Sequence, residues 1–428
     1  MAVPWVAAMG RRGRYFFSFY DAVAIGVTLP TIKEQFGVST NAVSWAVTSG
    51  LIGYAFGAIA GSLYGDRYGR RRALLASSLA FSTGTLLSAA SPDLTWLIVS
   101  RFIAGLGLGA EIAGVATYIA EISPAPLRGR YSARATVLAF AGFSVVPVMA
   151  RLLVPETSYG WRLLFLIGAA GGLVVCYVRR RLPESARWLL AHHRLEAARA
   201  EVSAAESEAR RRTGIPLPNV TTSRPEWLPE QHFTMASITK RHLRRRLTLF
   251  TTMWFVYYIG NYSWLTLAPT LFVERGFSVE SSLEFSAITG PGFLVGAVIA
   301  VALSDRFERR TLSIIIAAIW SCSLGLIGYI GSPGVILGFG FVASVTVGCL
   351  VSILYAYTAE QFPTVVRATC VAVSDGLGHT GGAVAPLILL PVNSALLFSG
   401  PFYVMAATGL GTAILLSCGR KTKHTTLH

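Results

Sequence analysis

The stretch Gly65–Leu75, GDRYGRRRALL, returns 239 residues later as Ser304–Ile314, SDRFERRTLSI. A second element repeats at the same step: Glu121, Pro124 and Arg128 in AEISPAPLR recur as Glu360, Pro363 and Arg367 in AEQFPTVVR. Two unrelated pieces sharing one offset mark a duplication of the whole chain. Both are polar patches between apolar runs, so each half is expected to hold about six hydrophobic segments.

Hydrophobic residues make up 53% of the 428 and charged residues only 14%, which excludes an ordinary soluble domain. Stretches long enough to cross the hydrocarbon core occur at 14–31, 42–64, 73–91, 94–119, 133–154, 161–179, 247–272, 285–304, 311–330, 333–358, 368–391 and 396–418. Backbone groups in lipid must pair internally, and nothing in these stretches alternates with a period of two, so they read as helices. The expected fold is an all-α membrane protein with 12 transmembrane helices in two parallel halves. Residues 1–180 and 246–428 form the halves, and 181–245 is a polar linker with a charged helix at Glu196–Arg212.

The net charge of +16 would suit nucleic acid, but its placement does not. Basic residues gather at Arg11–Arg14, 65–72, 128–130, 179–246, 304–310 and Arg420–Lys423, all on one side when crossings are counted. That asymmetry places both termini and the linker in the cytoplasm of a multi-pass plasma-membrane protein, and the linker's basic face against anionic lipid. Cys176, Cys322, Cys349, Cys370 and Cys418 show no CxxC spacing, so no metal or cofactor is indicated. Walker, HExxH and GxSxG patterns are missing, which argues against an ATP-driven machine and against an enzyme.

Gly61–Leu75, with Asp66, Arg67 and Arg70, resembles the loop between the second and third helices of the major facilitator superfamily, and Asp305 with Arg306 is its weaker copy, Glu308 standing where a Gly is expected. Arg101–Glu111, RFIAGLGLGAE, is similar to that superfamily's fourth-helix motif, and Leu182–Leu189, LPESARWL, to an element of sugar porters and their organic-acid relatives. The resemblance implies a secondary transporter working by alternating access as a monomer, with no cofactor. Asp66, Arg67, Arg70, Glu121, Arg128, Arg130, Glu184, Arg187, Asp305, Arg306, Glu360 and Arg367 would form a cytoplasmic latch that makes and breaks charge pairs between states.

Three ionisable residues lie within apolar helices. Asp21, among Phe, Tyr, Val and Ala, is costly to leave charged, which suits a group that takes up and releases a proton; hydrogen bonding to Tyr20 or a neighbouring helix is the alternative. Arg101 and Glu111 lie about 15 Å apart along one helix, too far to bond each other, so each faces a cavity or another partner. Related proton symporters carry an acid at the place of Glu111, so Asp21 and Glu111 are the expected proton carriers.

Candidates for substrate contact are Asp21, Tyr257, Tyr258, Asn261 and Trp264, with Asp375 and His379 spaced i, i+4 on the eleventh segment. Sugar porters show a Gln on helix five and a QQxSGxN run on helix seven; neither occurs here. The expected function is proton-coupled symport of a small organic acid. A sugar symporter or facilitator, a drug or cation exporter, and a non-transporting ligand sensor are the alternatives.

Overall fold

The structure, a computed structural model, describes residues 16–122, 128–213, 241–304, 306–363, 366–396 and 398–421. The first half contributes α1 (Phe16–Phe36), α2 (Thr40–Tyr68), α3 (Arg70–Ala89), α4 (Leu94–Ile122), α5 (Arg128–Leu153) and α6 (Gly160–Arg179). Two linker helices follow, α7 (Ala186–Ala191) and α8 (Leu195–Thr213). The second half holds α9 (Arg241–Tyr262), a π-helical turn at Ser263–Leu267, α10 (Ala268–Glu274), α11 (Val279–Thr289), α12 (Pro291–Leu303), α13 (Arg309–Ile330), α14 (Pro333–Glu360), α15 (Arg367–Leu396) and α16 (Ser399–Ser417). Taking α9–α10 and α11–α12 as single crossings, these make 12 transmembrane helices in two matching halves.

Eight of the twelve crossings are long and apolar enough to span a membrane by composition alone. The other four are α1, α3, α9–α10 and α15, whose hydropathy is diluted by Asp21, by buried serines on α3, and by the tyrosines, Asp375 and His379 of the second half. Phe56, Ile59, Leu63, Val174, Val298 and Ile414 are exposed on the outside of the bundle, where lipid solvates them. The expected single helix at 247–272 is interrupted by the π turn, and the segment expected from 285 starts earlier, at Val279, because the Ser278 side chain accepts from the amide of Ser281 at 3.0 Å and caps it.

The offset of 239 reappears in the contacts. Ser39 caps α2 as Ser278 caps α11, and Gly37 and Gly276 turn with positive φ just before them. Gly53 and Gly57 of α2 lie against the backbone of Phe102 and Leu106 on α4; Gly292 and Gly296 of α12 lie against Phe341 and Val345 on α14. Arg70 pairs with Glu121 at 3.0 Å, and Arg309 pairs with Glu360. The fourth-helix glycines divide by face: Gly105 and Gly109 meet the carbonyls of Gly50 and Tyr54 on α2, while Gly107 meets Phe81 on α3. Small residues on both faces let α4 lie close to two neighbours at once, which fixes how deep Arg101 sits.

Between the halves, the described contacts run from the end of the bundle opposite the linker to its middle. At that far end Lys33 lies 3.5 Å from Glu274, which also accepts from Thr40 and from Asn393 at 2.6 Å; Arg151 meets Glu280 at 2.7 Å. Deeper in, Ser144 donates to the Gly290 carbonyl at 3.0 Å, Thr48 to Ala383 at 2.9 Å, and Gly26 abuts the backbone of Thr266. The last such hydrogen bond toward the linker end joins Tyr54 to Asp375.

Candidate functional site

Two polar clusters flank a narrow cleft in the middle of the bundle, lined by Ile25, Gly50, Tyr54, Arg101, Tyr262 and Thr266 among others. On the first-half side, Asp21 of α1 is not the isolated acid the sequence suggested. Arg101 grips it with both terminal nitrogens, at 2.9 and 2.6 Å, and Thr85 of α3 donates at 3.2 Å. All three are buried. A bidentate guanidinium–carboxylate pair is among the strongest side-chain contacts, and burial strengthens it further. The remaining Arg101 nitrogen, Nε, has no partner among the described residues, and the guanidinium lies 5.4 Å from the Phe165 ring centre.

Glu111 is also paired, but elsewhere. Arg179 of α6 reaches it at 2.9 Å while donating to Ser78 and to the Leu74 carbonyl at 3.2 Å. Both ends of this pair are buried inside the first half, and neither lines the cleft. Ten residues along α4 separate Glu111 from Arg101, so the two acids occupy different levels of the bundle.

On the second-half side, Asp375 gathers three hydroxyls. Tyr258 of α9 and Tyr355 of α14 each donate to Oδ1 at 2.7 Å, and Tyr54, from the other half, donates to Oδ2 at 3.0 Å. His379 stands one turn on. Its Nδ1 lies 2.8 Å from the Asp375 carbonyl and 3.6 Å from Oδ1, and its ring stacks on Tyr54 with centres 3.8 Å apart. Tyr258 and Tyr262 close around the same ring.

The structure therefore brings Asp21, Tyr258, Asp375 and His379 into the two clusters beside the cleft, and gives the other candidates different surroundings. Tyr257 packs on Trp254 and Trp320 inside the second half. Trp264 donates to Ser344 at 3.2 Å and lies against Phe272. Asn261 is buried, its carbonyl oxygen unpartnered among the described residues. Tyr54 and Tyr355 were missed: each shares its helix with other tyrosines, and only the fold reveals that these two face one carboxylate.

At the linker end, Arg70 is held between Asp66 at 2.5 Å and Glu121. Glu184 accepts from the amides of Arg70 and Arg71, at 2.9 and 3.2 Å, and so neutralises the start of α3. Its carboxylate fills the space where a Gly69 side chain would stand, and Trp188 donates to the Asp66 carbonyl at 2.8 Å. Arg67 lies over Tyr68, Arg187 is exposed, Arg306 is exposed, and Arg367 donates to the Phe362 carbonyl at 3.3 Å. Each of these contacts stays within one half or joins it to the linker. Asp305 and the side chains of Arg128 and Arg130 lie outside the described residues.

Comparison with known proteins agrees with this architecture. Residues 7–428 match the family described as sugar (and other) transporters. The putative metabolite transport protein YyaJ of Bacillus subtilis is 27% identical, the match covering 94% of this chain and 89% of that one. The niacin transporter NiaP of Acinetobacter baylyi is 28% identical, over 90% and 85%. The crystal structure of a D-xylose-proton symporter superposes with a TM-score of 0.76 at 20% identity, covering 99% of both chains. With two matching six-crossing halves, a central cleft between them and a family match over nearly its whole length, this chain belongs to the sugar (and other) transporter family, shares the fold of the D-xylose-proton symporter, and is a multi-pass membrane transporter, not an enzyme.

Proposed function

We propose that the chain is a proton-coupled symporter of a small organic acid, an aromatic monocarboxylate in particular, and that Asp21 carries the coupled proton. The observation that carries this reading is the Asp21–Arg101 pair, whose guanidinium lines the cleft. While Asp21 is ionised, it occupies the one guanidinium that, among the described residues, lines the cleft. Protonation removes that claim, and Arg101 becomes free to hold an incoming carboxylate, with its unpartnered Nε adding a further donor. Proton and anion then enter together as a neutral load, and neither is well held alone. That mutual dependence is what symport requires.

The rest of the lining is mostly small and apolar, with Tyr54, Tyr262 and Thr266 as further polar groups. Such a wall suits a flat ring better than a hydroxyl-studded sugar, which needs amide readers. Niacin, the cargo in the name of one relative, is a small aromatic monocarboxylate. Glu111, closed off by Arg179, is given a structural role instead of the coupling role its motif suggested.

The basic linker end is placed in the cytoplasm, with residues 1–180 and 246–428 as the rocking bodies and 181–245 joining them. In that frame the contacts around Glu274 close the outer end, and this conformation faces inward. Purified protein in liposomes tests the function. An inward proton gradient is expected to drive accumulation of labelled nicotinate or benzoate, with collapse on adding a protonophore. Gradient-driven uptake of xylose with no uptake of either acid would overturn the substrate class.

A further inference from the structure

Three carboxylates lie deep in the described bundle, and they are not held alike. Asp21 and Glu111 each have a guanidinium. Asp375, only 6% exposed, has none: among the described residues its side chain meets the hydroxyls of Tyr54, Tyr258 and Tyr355, with His379 at 3.6 Å. A buried charge without a counter-ion costs several kcal/mol, offset in this cluster by hydroxyl donors alone. Such a balance shifts when one donor leaves. Two of the donors belong to the same half as Asp375, while Tyr54 arrives on α2 from the other.

We propose that Asp375 is a proton-binding site separate from Asp21, and that the Tyr54 hydroxyl couples its occupancy to the contact between the halves. The coupling is reciprocal. If closing Tyr54 onto the carboxylate favours its ionised form, protonation of the carboxylate weakens that closure by the same free energy. The groups facing Asp375 are Tyr54 from α2, Tyr258 and Tyr262 from α9, Tyr355 from α14, and His379 on its own helix; α4 brings Arg101, already engaged by Asp21. The His379 Nδ1 faces a backbone carbonyl, and its ring fixes Tyr54 by stacking, which positions the hydroxyl over the carboxylate. Tyr54 also lines the cleft, so a molecule bound there can press on the same hydroxyl.

The inference needs no knowledge of the cargo, so its test uses none. Infrared difference spectra of the purified full chain, recorded while pH is stepped, would show the carbonyl band of a buried protonated acid. In an Asp21→Asn background, which removes the other proposed proton carrier, that band is expected to remain, and to be lost when Asp375→Asn is added. Tyr54→Phe in the same background is expected to move the pH at which it forms while leaving the band itself. A band in that background that survives Asp375→Asn overturns the site. A titration unchanged in Tyr54→Phe overturns the coupling, and this conservative variant keeps the question answerable if Asp375→Asn folds poorly.

Discussion

Asp21 and Glu111 look alike in the sequence, each a lone acid in an apolar helix, and the structure separates them by what their arginines touch. Arg101 lines the cleft and Arg179 does not, so the two pairs predict different losses. Asp21→Asn is expected to abolish gradient-driven accumulation in liposomes while leaving exchange of labelled for unlabelled solute, because a neutral side chain no longer switches with pH. Glu111→Gln is expected to leave the gradient response intact but to lower the melting temperature, since it strands Arg179 in the interior without its counter-charge, a loss of about 3–5 kcal/mol. A melting temperature equal to wild type, together with loss of the gradient response, would return Glu111 to the coupling role. Tyr54 carries no signal of this kind in the sequence, because what distinguishes it is a partner 321 residues away.

At the scale of helices, the duplicated framework and the chemistry follow different rules. Gly57 against Leu106 and Gly296 against Val345 are the same crossing, built twice. The polar groups are not duplicated: at the 239-residue step Asp21 meets Gly260, Arg101 meets Gly340, Tyr54 meets Phe293 and His379 meets Phe140. A Cβ on Gly105 would stand 2.0 Å from the Gly50 carbonyl, so Gly105→Ala must push α4 from α2, costing about 1–3 kcal/mol and moving Arg101 with it. The expected result is a lower melting temperature with weaker nicotinate uptake; Gly334→Ala, where nothing among the described residues lies within 4 Å, serves as the neutral control. Most of this framework was legible, since long apolar runs and the repeated loop leave only helices in two halves. The π turn at Ser263–Leu267 was not, because the apolar pattern runs through it unbroken. The cleft-facing set was only partly legible: α9 carries tyrosines on several faces, and composition does not say which face meets α15 and which packs on Trp320.

Across the whole molecule, the distribution of contacts carries the mechanism. Transport by rocking requires that the bonds closing one end be broken before the other end can close. Glu274 gathers Lys33 and Thr40 from one half and Asn393 from its own, all at the end away from the linker. None of these contacts is deeply buried, so each is weak alone, and the cluster can yield to a modest bias from the centre. Tying it covalently removes that freedom. The double substitution Thr40→Cys with Glu274→Cys puts two thiols where a hydroxyl and a carboxylate now meet, and oxidation is expected to join the halves there. Uptake of nicotinate should fall to background under oxidant and return with reductant, while the same treatment leaves the parent chain, whose five cysteines are free, unaffected. Uptake that persists after the cross-link is verified by mass spectrometry would mean that this end does not open during transport, and the rocking reading would fail with it.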